Sequence, residues 1–220
     1  MKKYPRTYHL PFSPEIHSDD KVCDVLDLQK IIDDKTPVVI TTKMDGGNCC
    51  LSADGVFARS HAQETTCPTF NYIKNVHYYP NIQSITDNDF KIFGENMFGI
   101  HSIEYNNLTD YFYVFNIVSN DKFLPFKVAK DVAKVLNMQT VPVVYEGVIP
   151  SLSWLEKFLA TELKQPNDIL GGVREGFVIR VADEFLVSEF SRNVFKYVRR
   201  GHIATTEHWS KNWKQAKLNK

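Results

Sequence analysis

A chain of 220 residues, 43% hydrophobic and 24% charged, is long enough for one packed domain and excludes a largely disordered protein. Its 26 basic and 26 acidic residues balance, which argues against a protein that simply coats nucleic acid by charge. No apolar run reaches the length of a membrane span, and Met1-Lys2-Lys3-Tyr4-Pro5-Arg6 is not followed by the apolar stretch of a secretory signal, so a cytoplasmic protein without membrane contact is expected.

Residues 1–20, rich in Pro and His, read as an irregular extension. Val22, Val25, Leu28 and Ile32 then fall near helical spacing and predict a helix over 22–32. Strands are expected over 38–42, 48–52 and 56–59, the last two joined by the hairpin signal Ala53-Asp54-Gly55. Two more follow at 90–94 and 111–118. Val128, Val132, Val135 and Leu136 give an amphipathic helix over 127–136, and Leu152, Leu155, Phe158 and Leu159 another over 151–163, just after Pro150. Residues 177–181 and 184–188 read as a second hairpin around Ala182-Asp183, and 194–199 as a strand. The sum is an α+β fold in which antiparallel sheets pack together and are flanked by helices. A single domain over 1–220 is expected, with an N-terminal extension at 1–20, a basic tail at 200–220 and no separate C-terminal domain. From Glu189 onward basic residues dominate, and both a solvated tail and one that tracks phosphates stay open. In that tail Trp209 and Trp213 fit one helix face, with core packing preferred to base stacking beside Lys211 and Lys214. Cys23, Cys49, Cys50 and Cys67 show no metal-ligand spacing and are expected as free thiols.

The most informative segment is Lys43-Met44-Asp45-Gly46, which follows the strand signal Val38-Val39-Ile40-Thr41-Thr42. A lysine at a strand end beside a glycine turn is placed to attack phosphorus, provided its amine loses a proton; its ordinary pKa is about 10.4. Cations such as Lys196 and Arg180, or a divalent ion, would supply the field that favours the free base, while Asp45 would orient the amine or hold metal-bound water. Glu95, after Phe93-Gly94, can accept from ribose hydroxyls. Tyr111, Tyr113, Phe115 and Ile117 share one strand face by parity, and Phe112, Val114 and Val118 the other; Phe115 is the aromatic chosen to stack on a purine. Glu175 suits a hard divalent ion, Arg180 a phosphate, and Lys196 an α-phosphate in the transition state.

This ordered set resembles the covalent nucleotidyltransferase superfamily of ATP-dependent ligases and capping enzymes, and most closely the type-2 RNA ligases, over about residues 36–200. Lys43-Met44-Asp45-Gly46-Gly47-Asn48 is similar to the nucleophile motif, including the Asn of RNA ligases; Phe93-Gly94-Glu95 is similar to the ribose-holding motif and Phe115 to the adenine-stacking aromatic. Glu175-Gly176-Phe177-Val178-Ile179-Arg180 resembles the metal-binding motif, and Lys196 the first lysine of the last one. Tyr4-Pro5-Arg6-Thr7 through His9-Leu10-Pro11 resembles small bacterial and phage members, as does the run from Lys196 through His202 to Trp209. The chain departs from the pattern at Val198, where a second lysine is usual and Arg199 or Arg200 is expected to substitute. It departs again at Thr42, where some members carry Glu, and in the short stretch after Lys196.

The resemblance implies an ATP-dependent RNA ligase that carries AMP on Lys43, uses Mg2+ or Mn2+ near Glu175, and joins RNA ends or nicks in RNA-containing duplex as a monomer. Catalysis would rest on Lys43, Asp45, Glu175 and Lys196, and nucleotide binding also on Asn48, Arg59, Glu95, Phe115 and Arg180. Arg59 would touch ribose or the incoming phosphate, and His9 either a substrate phosphate or, preferably, a structural hydrogen bond. The alternatives are a DNA ligase or GTP-using capping enzyme, and a nucleotide- or RNA-binding module without catalysis.

Overall fold

The computed structural model describes residues 3–60, 63–86, 89–201 and 213–219. In chain order the elements are β1 (Tyr8–His9), α1 (Val25–Asp33), β2 (Pro37–Lys43), β3 (Gly47–Ser52), β4 (Gly55–Ala58), α2 (Asn71–His77), α3 (Pro80–Thr86), β5 (Lys91–Asn96) and β6 (Phe112–Ser119). There follow β7 (Lys122–Phe123), α4 (Phe126–Val135), β8 (Gln139–Thr140), β9 (Val143–Val148), α5 (Leu152–Glu162), β10 (Gly176–Val181), β11 (Phe185–Leu186), α6 (Phe190–Asn193) and β12 (Val194–Val198). One sheet has the order β1-β12-β10-β2-β9, and the other β11-β7-β6-β5-β3-β4 with β8 against β6. Pairing is antiparallel except for β1 with β12 and β6 with β8. The α+β architecture of mostly antiparallel sheets and flanking helices agrees with the sequence expectation.

β2 is buried from Val38 to Thr42, which is why its sequence is a nearly continuous β-branched run rather than an alternation. Ile40, Phe177, Ile179 and Phe195 pack beneath α1 and α5, where Leu28, Ile32, Leu155 and Leu159 complete one core. Each such fully buried side chain contributes roughly 1.5–3 kcal/mol of transfer free energy. The second core lies over the other sheet, with Leu51, Ile92, Val114 and Ile117 against Ile73 of α2 and Ala129 of α4. α1 begins three residues later than its periodicity suggests because Asp24 caps it, accepting from Leu26 N at 2.9 Å. Val22, assigned to that helix by spacing, instead bridges to His9.

Two expectations need correction. Residues 177–181 and 184–188 do not form a hairpin. Ala182 N donates to Pro37 O and Ala182 O accepts from Phe126 N, so the chain leaves the first sheet and Phe185 pairs with Phe123 in the second. Ser188 then lies in a short 3-10 helix, Val187–Glu189. The strict alternation expected over 111–118 also fails. Phe93 pairs with Asn116 but Gly94 with Val114, so Phe115 is the extra residue of a bulge, and Ile117 joins Phe112 and Val114 in one core. Helices α2 and α3 and strand β9 have no counterpart in the sequence reading. Among the described residues, no helix is long and apolar enough to cross a membrane.

Candidate active site

The registers of β2, β10 and β12 build one wall of a cleft. Lys43 lies opposite Gly176, which lies opposite Val198; one row along, Thr41 faces Val178 and Val178 faces Lys196; the next row is Val39, Arg180 and Val194. Alternation therefore turns Lys43, Lys196 and Arg180 to the same side of the sheet, away from the core that takes Phe177 and Ile179. Asn48 and Glu95, a cross-strand pair, come from the other sheet together with Phe115, whose bulge turns it and Asn116 toward the same space. The cleft holds a cavity of about 450 Å³, open on one side and lined by Lys43, Asn48, Glu95, Phe115, Arg180 and Lys196, with Arg59 exposed at the edge. That volume suits a nucleotide-sized ligand.

Glu175 immediately precedes β10 and is 3% exposed. Lys43 Nζ donates to its Oε1 at 2.5 Å. Burial pulls the Lys43 amine toward the neutral form, but the carboxylates of Glu175, Glu95 and Asp45 outweigh it and hold the pKa above that of an ordinary lysine. The expected field of cations is thus corrected: carboxylates surround the amine, and Lys43 is an ammonium here. Lys196 is held below its ordinary value by burial, against the pull of Asp20 and with the Lys43 charge adding to the shift. Burial pushes Glu95 up to about 8; Lys43 opposes the shift, while Glu175 and Asp45 reinforce it. Gly46 N donates to Glu95 Oε1 at 3.1 Å, tying the turn after Lys43 to the second sheet. A Cβ on Gly46 would lie 2.6 Å from Met97 Sδ and 2.7 Å from Asn96 O, so the turn needs glycine for close approach.

Other residues singled out from sequence sit differently. Asp45 does not line the cavity. Its Oδ2 accepts from Ser102 N (2.7 Å) and Ile103 N (2.8 Å), so it braces a loop, and Glu175 is the group that orients the amine. Arg180 lines the cavity with its donors spent on the protein: Nη1 on Asn116 Oδ1, Nη2 on Leu124 O at 2.9 Å and Nε on Val181 O at 2.9 Å. Burial draws its pKa down to about 10. Asn116 Nδ2 in turn donates to the Tyr4 hydroxyl at 2.6 Å. Val198 is buried, and Arg199 and Arg200 donate to the backbone oxygens of Gly201 and Pro14 without lining the cavity. His9 is in a structural hydrogen bond, its Nδ1 3.1 Å from Ser13 Oγ. All four cysteines are free thiols. Trp213 packs on Phe98, whereas His202, His208, Trp209 and Lys211 lie outside the described residues.

The sequence reading missed the part played by the N-terminal segment. Tyr4, Arg6, Thr7 and Asp20 form a side of the cavity, anchored by the parallel pairing of Tyr8 with Phe195 and of His9 with Lys196. No periodicity signals this, because a two-residue strand has none. Among the described residues no three His, Cys, Asp or Glu side chains form a ready-made metal cluster. Glu175 as a lone carboxylate still fits a hard cation of the Mg2+ kind, which is bound through one or two carboxylates plus substrate phosphates. The nucleotide fit has its own mark: Asn48 Oδ1 is buried and lacks a hydrogen-bond partner.

The RNA ligase family profile matches residues 36–198. No curated protein matches the chain by sequence. Among solved structures, a lysine-to-alanine mutant of Naegleria gruberi RNA ligase with ATP and Mn superposes with a TM-score of 0.58 at 16% identity, over 91% of this chain and 63% of that one. The same ligase with PPi gives 0.58 at 16%, over 93% and 62%. An archaeal ATP-dependent RNA ligase gives 0.54 at 17%, over 84% and 48%. The chain therefore spans less than two thirds of the length of these structural relatives, and they share its fold. Since the family match takes in every element that builds the cleft from β2 to β12, the chain belongs to the RNA ligase family.

Proposed function

We propose that this chain is an ATP-dependent RNA ligase that works through an AMP group carried on Lys43. The observation that carries the reading is the contact between Lys43 Nζ and Glu175 Oε1 at 2.5 Å, beside a cavity that Phe115, Asn48 and Glu95 furnish for a nucleoside. The stacking face of Phe115 receives the adenine, and Asn48 Oδ1 and the carboxyl oxygens of Glu95 accept from hydroxyl or amine donors of the nucleoside.

Lys43 first loses a proton from its ammonium, with Glu175 the acceptor in hydrogen-bond reach. Its lone pair then attacks the α-phosphorus of ATP; a P–N bond forms, the P–O bond to the β-phosphate breaks, and pyrophosphate departs with that electron pair. The Lys196 charge stabilises the extra negative charge of the transition state. A divalent cation such as Mg2+ or Mn2+ would be held by the Glu175 carboxylate once that proton has passed to solvent, and would supply positive charge that neutralises phosphate and favours the free amine. In the second step an oxygen of an RNA 5′-phosphate attacks the same phosphorus and releases Lys43. In the third, a 3′-hydroxyl attacks the activated 5′-phosphate and AMP leaves. Incubation with α-labelled ATP and Mg2+, followed by transfer to 5′-phosphorylated RNA, tests the reading. Label held on protein and passed to RNA supports it, and equal labelling from GTP or equal sealing of all-DNA nicks would replace it with a capping or DNA-ligase reading.

A further inference from the structure

One carboxylate in the cleft occupies a place shaped for an anion. Asp20 Oδ1 is 3.5 Å from Arg6 Nη2 and 3.4 Å from Lys196 Nζ, so two cations from distant parts of the chain converge on one oxygen. Asp20 Oδ2 lies 3.2 Å from His9 Nε2 and accepts from His17 N at 3.0 Å. Arg6 has a second partner in the exposed Asp19, at 3.1 Å. Arg6, Asp20 and Lys196 all line the cavity, whereas His9 is buried behind them. Hydrogen bonds and the surrounding cations hold the Asp20 carboxyl down at about 2 in spite of its burial, so it is an anion throughout the working range.

The group next to Lys196 matters because the position two residues on is Val198, buried and uncharged, and neither Arg199 nor Arg200 reaches the cavity. Arg6 lines it and shares a carboxylate oxygen with Lys196, whereas Arg180 spends its donors on the protein and Arg59 lies at the exposed edge. An Arg–Lys pair focused on a single oxygen is the geometry that binds phosphate, and a carboxylate held there is a substitute that leaves when a more highly charged oxyanion arrives.

We propose that Arg6 and Lys196 together bind a phosphate group of the substrate other than the α-phosphate, in exchange for the Asp20 carboxylate. The group is either the β,γ-diphosphate of ATP or the 5′-phosphate of an RNA strand, which share this chemistry. Asp20 is the internal counter-ion that keeps the pair aligned while the site holds no phosphate. The proposal deepens the ligase reading and rests on it for the identity of the phosphate donor.

Two reactions and one binding measurement separate the outcomes. Titration of the unadenylylated protein with inorganic pyrophosphate reads the anion site directly, whether or not the chain is a ligase. Lysyl-AMP formation against ATP concentration reads the diphosphate, and transfer from isolated lysyl-AMP protein to 5′-phosphate RNA reads the RNA end. Arg6→Gln is expected to weaken pyrophosphate binding and to raise the half-saturating concentration in one of the two reactions by roughly tenfold or more, the affected reaction naming the source. Arg6→Lys recovers part of that loss, and Asp20→Asn tightens pyrophosphate binding several-fold because the competing anion is gone. Arg6→Gln behaving as wild type in all three measurements overturns the proposal, as does Asp20→Asn weakening pyrophosphate binding as much as Arg6→Gln, which would make the cluster a structural brace. A wild-type protein that binds pyrophosphate but forms no lysyl-AMP would refute the ligase reading and leave the anion site standing.

Discussion

Lys43 and Glu175, 132 positions apart in the chain, meet at 2.5 Å because Gly176 is the register partner of Lys43. Glu175, the residue just before β10, is therefore placed by the pairing of the strand it leads into, and its backbone oxygen accepts from Arg199 N at 3.0 Å. Gly176 is the weak point of that design. A Cβ there would lie 2.0 Å from Tyr197 O and 3.0 Å from Val198 Cα, both backbone atoms that cannot turn aside.

Gly176→Ala is therefore expected to force β10 and β12 apart at the nucleophile end. Its Tm should fall by about 5 °C or more, and lysyl-AMP formation should drop at least tenfold, since the mutation moves Glu175 off the amine. Thermal unfolding and single-turnover labelling check this together. Wild-type values in both would contradict the registered geometry.

Glu95 gives a pH signature. Its folded pKa of about 8 lies above the ordinary 4.5. Between those values the unfolded chain releases a proton that the folded protein keeps, so the Glu95 contribution to stability is whole below about pH 4.5 and is lost as pH rises through 8. Glu95→Gln keeps the size and removes the titration. The variant should gain a few degrees of Tm over wild type at pH 8.5, about 2–6 °C for a chain of this size, and little at pH 5. The Tm difference at the two pH values is the measurement, and a constant difference would show that Glu95 is charged throughout.

Asn48 separates fold from function. Its Oδ1 is buried without a hydrogen-bond partner in the nucleotide-free protein, so truncation removes no satisfied bond. Asn48→Ala is expected to leave Tm within about 2 °C of wild type while weakening ATP use in lysyl-AMP formation by roughly 10-fold. A large loss of stability with unaltered ATP dependence would reverse that assignment.

Arg180 is expected to behave the opposite way. Its guanidinium is nearly sealed off, holds Asn116, Leu124 O and Val181 O, and lies over the rings of Phe126 and Phe185. A lysine cannot reproduce a planar fork with several fixed acceptors. Arg180→Lys should cost about 3–5 kcal/mol of stability, measured by denaturant unfolding, with the loss of activity following the loss of folded protein. A stable variant with a specific defect in phosphate binding would return Arg180 to the phosphate role that its strand position suggests.

The contrast among these residues explains what the sequence could show. Lys43, Asn48, Glu95 and Lys196, which the structure brings to one cavity, were legible because each is a polar residue in or at the end of a short, otherwise largely apolar strand. Phe115, proposed as the stacker, does line the cavity although its strand parity was misjudged, since a bulge leaves no local mark when both faces of a strand are aromatic or β-branched. The hairpin expected at 177–188 failed because Ala182-Asp183 looks like a tight turn, while backbone bonds from Ala182 to Pro37 and Phe126 carry the chain across to the other sheet. Helices α2 and α3, within residues 60–90, were missed because neither exceeds two turns and neither shows a long apolar stripe. Arg6 stood out only within the resemblance of Tyr4-Pro5-Arg6-Thr7, and Asp20 gave no signal. Their place at the cavity comes from His9 pairing with Lys196, a contact across almost the whole chain that no local pattern encodes.

The account stands or falls on the Lys43 amine as the carrier of AMP. The most direct measurement is intact-protein and peptide mass spectrometry after incubation with ATP and Mg2+. The account predicts one AMP-sized increment localised to the peptide holding Lys43, sensitive to acid, released by pyrophosphate and absent from Lys43→Ala. An adduct on another residue, or an unmodified wild-type protein that still binds ATP, would contradict it.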